Sequence, residues 1–562
     1  IQAFPDGTMV DRVHIIQKAL DQQGVQDVAE VEIPPGATVL KLRTIKPDGR
    51  TLEPENIEGK EGMSLPGVQV GDLVEYEYLL AHPTRGPAMP GFTASAFYFQ
   101  IARQPNARST YVVIAPKGSG MEVDAHNVKA PKPQVEGEFE VLRHEERRVP
   151  PYIPEPIGPP SANEWLPFVS VGAGARGNEG TVRAYADAFI ERGLVTYEVE
   201  AFARDAVKGL PEPLGADAVK AVYAAVQHKL SGRDAGLGVS AAASVAQDRG
   251  SRLWLLKASL DALGLEARLV AVRAFTADPA PYLFPNEALL PYLCLRVSLK
   301  DGQAIWLDPL VRFAPFGELP EFALGGLEAW VLPESGRPLE RVTTPPRSAR
   351  PGKNVVLDLS LDAEGVLSGK GVETYTGYEA AQLAEALESL SPDQRDQALQ
   401  SALSRYYGGA DLSKLSVDAK RDVGAPVIVS YEFKAARFAR AEGGSRLVAS
   451  SLTYPLMLGR RFLAVPSRVT PLFIDTSEAS STKATLTLPA GWVLQGPVGE
   501  VKLEGPSGKY VRREAQQGNI VKVEEECVLT QSRVPPKQYD AFAQFAGEVD
   551  LVQQRDLLFE KR

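Results

Sequence analysis

Ile305-Trp306-Leu307-Asp308-Pro309 sets a single carboxylate at the exit of a short apolar strand. Working outward, the turn Lys300-Asp301-Gly302 joins a strand from Ala304 to Leu307 to an earlier one from Leu293 to Leu299. A further strand is expected from Ala267 to Val272. Ahead of these, Leu253, Leu256, Leu260 and Leu263 form an apolar helical stripe closed by Gly264 as C-cap. Val219, Val222, Tyr223, Val226 and Leu230 form another stripe at helical spacing. Helices followed by strands predict an α+β core around Asp308.

On the N-terminal side, residues 1–155 read as all-β. Segments such as Ile33 to Arg43 and Leu73 to Leu79 alternate over part of their length, and Pro5-Asp6-Gly7 and Pro47-Asp48-Gly49 supply turns. Six prolines between Val149 and Pro160 then predict a semi-rigid linker. The α+β core is expected over 160–340. A second proline-rich break, from Thr344 through Pro351, leads to a β-rich region over 350–562. That region opens with Leu357, Leu359 and Leu361 in alternation. It carries a helical insertion over 378–407, whose second half starts with the capping box Ser391-Pro392-Asp393-Gln394. Strands are expected again from about Val427.

Composition narrows the function classes. A length of 562 residues predicts three or four domains at roughly 150 residues each. Apolar content of 44% with 23% charged residues is ordinary for a globular chain. Sixty-one Lys and Arg against 71 Asp and Glu give a net charge of −10, which argues against nucleic acid as a partner. Cys294 and Cys527 are too few for a disulfide scaffold, and the five histidines show no metal-ligand spacing, so neither metal nor cofactor is expected. No apolar run reaches the ~18 residues of a membrane span. Opening at Ile1 rather than Met, the chain is expected to follow a removed segment or to be a piece of a longer protein.

Several motifs together carry a family resemblance. Phe4-Pro5-Asp6-Gly7, Pro47-Asp48-Gly49 and the run from Leu65-Pro66-Gly67 through Gly71-Asp72-Leu73-Val74-Glu75-Tyr76 occupy the N-terminal region. Leu255-Leu256 through Leu263-Gly264-Leu265-Glu266-Ala267-Arg268 and Trp306-Leu307-Asp308-Pro309 with Pro315-Phe316-Gly317-Glu318-Leu319-Pro320 occupy the middle. Val534-Pro535-Pro536-Lys537-Gln538-Tyr539 with Phe542 and Phe545 closes the chain. In order and spacing, these resemble the bacterial transglutaminase-like proteins with an N-terminal β domain of unknown function. The resemblance implies a β-sandwich-like N-terminal domain, a papain-like α+β core and a C-terminal β-sandwich-like domain.

It also implies a cysteine at the start of a helix, a histidine on a following strand and an aspartate on the next. Asp308 stands at the aspartate position. Counting back from Gly264 without gaps puts Arg249 at the nucleophile position; a helix shorter by one turn puts Arg252 there. A guanidinium is not a nucleophile. The histidine position falls at Tyr292, or at Leu293 if the hairpin differs by one residue, and neither is a base near neutral pH. Cys294 lacks a base nearby, Ser251 with Asp308 lacks a histidine between them, and His228 sits on the polar side of its helix. The expected structural role of Asp308 is a salt bridge with Arg249 or Arg252, with Tyr292 close by.

The resulting expectation is a chain without catalytic residues, holding a degenerate site of Arg249, Arg252, Tyr292 and Asp308. The resemblance places it in the periplasm or cell envelope as a scaffold or protein- or peptide-interaction module. An active cysteine-protease-type hydrolase or acyl transferase is the alternative. A carbohydrate-binding envelope protein is a third, and it requires an exposed aromatic platform on one of the β domains, so that burial of such aromatics would count against it. Arg460-Arg461 and Arg512-Arg513 read as solvated basic pairs, and Glu524-Glu525-Glu526 as strand residues on alternate faces rather than a calcium site.

Overall fold

The computed structural model describes residues 1–54, 63–84, 90–189, 191–334, 337–347, 352–496 and 498–562. Residues 348–351 of the second proline-rich break lie outside the described residues. The architecture is multidomain α+β. Two compact units divide the chain. One comprises 1–153, 165–187 and 280–286, the other 154–164, 188–279 and 287–562.

The first unit carries an eight-stranded sheet whose central members are Asn106–Pro116, Met9–Lys18 and Leu73–His82. A smaller sheet pairs Glu122–His126 and Gly91–Thr93 with Phe168–Gly174. Val113, Leu142 and Phe99 bury against Val169 and Val171 in one cluster, which joins the two sheets. The all-β reading of 1–155 misses one helix, Gln22–Ala29, capped by the Asp21 side chain on the Gly24 amide. With glycine inside and one buried residue, this helix has little propensity signal of its own.

The second unit places helices α1 (Ala216–Lys229) and α2 (Arg252–Ala262) ahead of its first sheet, with the shorter helices Tyr197–Ala206 and Ala241–Gln247 beside them. Helices α1 and α2 match the expected apolar stripes, and Gly264 takes the left-handed conformation that closes α2. An antiparallel sheet follows: β1 (Glu266–Val272), β2 (Tyr292–Ser298), β3 (Ala304–Leu307), β4 (Glu328–Val331) and β5 (Glu340–Thr343), in the order β3-β2-β1-β4-β5. Helix α2 is buried along nearly its whole surface, so it lies inside the unit rather than on it.

The C-terminal part of this unit is built on β6 (Lys353–Leu361), β7 (Leu367–Tyr375), α3 (Gly377–Glu388), α4 (Pro392–Tyr406), β8 (Ala410–Ala419), β9 (Val427–Ala435), β10 (Glu478–Thr487), β11 (Glu500–Gly505), β12 (Gly508–Gln517), β13 (Ile520–Leu529) and α5 (Tyr539–Gln553). The strands form one sheet in the order β8-β9-β7-β6-β10-β13-β12-β11. A four-stranded sheet shares its core: Leu357, Leu359 and Leu361 cluster with Leu447, Trp492 and Phe559. The capping box of α4 forms as expected, with Ser391 and Gln394 bonding each other's amides. Strand structure resumes at Ala410, earlier than the expected Val427. Strand β8 is an exposed edge with a bulge between Leu412 and Lys414, so its alternation is broken.

Two surface readings change. Arg512 is buried, facing Glu525 directly across β12–β13 and bonding both Glu525 and Glu514. Arg461 is half-buried and paired with Glu478 at 2.8 Å. In the Glu524-Glu525-Glu526 run only the middle carboxylate turns inward, as strand periodicity requires, and no metal-binding group occurs among the described residues.

Candidate functional site

Asp308 leaves β3 and is 2% exposed. Its Oδ1 accepts the Leu310 amide at 2.8 Å, which folds the chain back after Pro309. Helix α1 fixes this turn from beneath. Tyr223 Oη donates to the carbonyls of Asp308 at 2.8 Å and Ala314 at 3.0 Å. Gln227 donates to the Pro309 carbonyl at 3.2 Å and accepts the Phe313 amide at 3.0 Å. Phe313 has a φ of +60°, unfavourable for an aromatic residue, and the Gln227 bond helps hold it there.

Two phenols flank the carboxylate. Tyr292 opens β2 and Tyr378 lies in the first turn of α3. Both hydroxyls are buried without a hydrogen bond of ordinary geometry, and they meet Asp308 as neighbouring dipoles. Burial pushes the Asp308 pKa up, while Tyr378, the Leu310 amide and Tyr292 pull it back in part. Burial also drives both tyrosines well above the ordinary phenol value, with Asp308 adding to the effect.

Cys294 follows Tyr292 by two residues in β2 and is fully buried. Burial first, and Asp308 second, push its thiol well up, so it remains protonated at neutral pH and is a poor nucleophile. The two cysteines are free and distant in sequence.

Of the two candidate nucleophile positions, Arg252 opens α2 and Arg249 is an exposed residue in the loop before it. Arg252 is 0% exposed. Its guanidinium donates to the carbonyls of Leu310 at 3.2 Å and Leu230 at 3.4 Å, and to Gly232. Burial lowers its pKa, with Asp234 opposing that shift. The start of α2 is already bonded. Ser251 Oγ accepts the Trp254 amide, the Ser251 amide reaches Ser244 Oγ at 3.0 Å, and the Arg252 amide reaches Asp234 Oδ2 at 2.8 Å. Ser251 is thus a buried helix cap.

The expected Asp308–arginine salt bridge does not form. The carboxylate paired with Arg252 is Asp234, at 3.9 Å, and Arg252 reaches the Asp308 turn only through the Leu310 carbonyl. The two terminal nitrogens of the fork are directed to loop carbonyls, while Nε is buried without a hydrogen-bond partner. His228 is half-exposed, 4.0 Å from Asp422.

Three residues central to this geometry escaped the sequence reading. Tyr223 was legible only as part of an apolar stripe. Gln227 sits beside His228 and Lys229 and reads as polar surface, yet is fully buried. Tyr378 belongs to the helical insertion of the following region, and no local signal ties it to Asp308.

In sequence, residues 62–153 match the DUF3857 family and residues 452–559 the DUF3858 family, each a domain of unknown function with a solved structure. No curated protein matches the chain. Among solved structures, the fold is similar to that of a protein described as a "putative protease" from Parabacteroides distasonis. The TM-score is 0.61 at 14% identity, covering 100% of this chain and 97% of that one. The likeness is one of fold.

Proposed function

We propose that this protein is a non-catalytic scaffold or protein- and peptide-interaction module of the bacterial cell envelope, built on a transglutaminase-like core that has lost its nucleophile and base. The observation that carries the reading is Arg252. It occupies the helix start where the resemblance calls for a cysteine, and its guanidinium is committed to the carbonyls of Leu310, Leu230 and Gly232. Tyr292 stands at the histidine position with its hydroxyl buried. Asp308 then supports the turn that bears it instead of orienting a base. The full-length fold likeness to a protein described as a "putative protease" is compatible with this reading, since one fold hosts active and inactive members alike.

The test is covalent labelling of the native chain with a thiol-reactive peptide probe and a fluorophosphonate. Neither reagent is expected to modify it. After denaturation the thiol probe should modify both cysteines, since Cys294 and Cys527 are free and buried. Stoichiometric native labelling at Cys294 or Ser251 would instead establish the hydrolase alternative. Fractionation of cells producing the chain addresses the envelope assignment: recovery only with cytosolic markers would sink it.

A further inference from the structure

At the Lys353 end of the C-terminal sheet, the inward face turns from aliphatic to polar. Along β6 the inward-facing stripe reads Lys353, Val355, Leu357, Leu359, Leu361 at period two, the lysine half-buried and the rest buried. Neighbouring strands place Glu373 and Tyr375 (β7), Ser480 and Thr482 (β10), Tyr510 (β12) and Glu525 (β13) on that same face. Helix α4 covers them with Leu399, Leu403 and Tyr406, and Tyr454 closes one side. Together they enclose a cavity of about 380 Å³. That volume lies within the range of small-molecule sites, roughly 300–1,000 Å³.

Three properties of the lining define what it accepts. The first is charge. Lys353 pairs with Glu373 at 3.0 Å, Arg461 with Glu478 at 2.8 Å, and Glu525 with Arg512. Every charge in these pairs is answered, so a charged ligand would have to break a pair or go uncompensated in a half-buried site.

The second is hydrogen bonding from fixed side chains. Tyr375 and Tyr431 donate to the two oxygens of Glu373 at 2.7 and 2.9 Å, and Tyr431 in turn meets Tyr454. Tyr510 and Gln553 hold the two oxygens of Glu525 at 2.7 and 3.1 Å. Gly371 makes the first set possible, because a Cβ there would collide with the Tyr431 ring. The floor strands are interior to the sheet, paired on both sides, so their main chain is not open to a peptide and recognition falls to side chains.

The third is aromatic surface. Tyr406 and Tyr454 lie with centroids 4.6 Å apart, tilted by 31°, and Lys353 Nζ lies 5.2 Å from the Tyr375 centroid and 5.7 Å from that of Tyr454. Ring faces carry partial negative charge and attract the weakly positive C–H bonds of a partner.

A ligand that is uncharged, rich in donors and acceptors, and bounded by C–H faces satisfies all three. We propose that this cavity is a binding site for an uncharged sugar of one or two residues. The site is independent of the Asp308 core and stands whether or not that core is inactive.

The full-length chain is titrated with glucose, mannose, galactose, N-acetylglucosamine and the β-1,4 disaccharides of glucose and N-acetylglucosamine, followed by saturation-transfer NMR and calorimetry. Glucuronate and trialanine serve as comparison probes. At least one uncharged sugar should bind with a Kd of about a millimolar or tighter, and glucuronate and trialanine at least about tenfold more weakly. Tyr406→Ala and the near-isosteric Thr482→Val should each weaken the sugar, the former by at least about tenfold, while the exposed-site control Tyr197→Ala leaves it unchanged. Circular dichroism establishes that each variant folds, and Thr482→Val retains the test if Tyr406→Ala does not. The proposal is overturned if no sugar of the panel binds, if glucuronate or trialanine binds more tightly, or if binding survives both cavity substitutions.

Discussion

Tyr223 Oη donates to the main-chain carbonyl of Asp308 at 2.8 Å, so the turn that carries this buried carboxyl is held from behind by helix α1. The same hydroxyl reaches Ala314 at 3.0 Å and spans the ends of the turn. Tyr223→Phe keeps the ring and removes both bonds. Leaving two buried carbonyls short of a donor is expected to cost about 1–3 kcal/mol of stability. Urea unfolding of the two proteins measures it, and equal midpoints would refute the bracing role.

Asp308 is expected to make stability depend on pH in a direction opposite to that of a salt-bridged carboxylate. Its folded pKa is raised, mainly by burial, so the native state binds the extra proton. Stability associated with the group is therefore greatest below the unfolded value of about 3.9 and declines as pH rises from there through the folded pKa. Asp308→Asn keeps an oxygen for the Leu310 amide and cannot ionise. The variant should lose less stability than the parent as pH is raised through that window, and should equal or exceed it at pH 7. Parallel stability–pH curves would show that Asp308 is not the titrating group.

Arg252→Met tests the plug at the start of α2. The side chain is of similar length, but the carbonyls of Leu230, Gly232 and Leu310 lose their donor and Asp234 loses a neighbouring cation. A loss of about 3–5 kcal/mol is expected, the range for removing one partner of a buried ionic group. Arg249→Met, at an exposed site, should stay within about 0.5 kcal/mol of the parent. Thermal or denaturant unfolding of the pair reads the contrast.

The Lys353–Glu373 pair lends itself to a double-mutant cycle. Burial opposes charge on both groups, yet each holds the other ionised: Lys353 lies above the ordinary lysine value and Glu373 below the ordinary carboxylate value. Lys353→Met alone is expected to cost about 2–4 kcal/mol, less than for a fully buried pair because the lysine is 29% exposed. Adding Glu373→Gln should recover part of that loss, with a coupling of roughly 1 kcal/mol or more. Strict additivity would mean that the two charges do not stabilise each other.

Much of the second unit was legible because its signals are local. The stripes of α1 and α2, the Gly264 cap, the β2–β3 turn and the Ser391 capping box each depend on residues within a few positions of one another. The helix Gln22–Ala29 and the edge strand Ala410–Ala419 were missed for the same reason in reverse: neither carries a strong local pattern, and tertiary contacts decide both.

By itself, the sequence determined that Asp308 follows a short apolar strand of an α+β block, and that the chain is acidic with histidines at no metal-ligand spacing. What holds Asp308 was decided only by the tertiary structure. Tyr223, Tyr292 and Tyr378 come from helix α1, strand β2 and helix α3, separated by tens of residues, and side-chain chemistry alone does not say which will meet. Charge complementarity suggested an arginine. The structure instead assigned Arg252 to loop carbonyls and Asp234, because a buried guanidinium must satisfy several donors at once and the nearby carbonyls do that better than one carboxylate. The same holds for Arg512, buried opposite Glu525 across β12–β13 and beside Thr453, and for Arg461, which reaches Glu478 on β10.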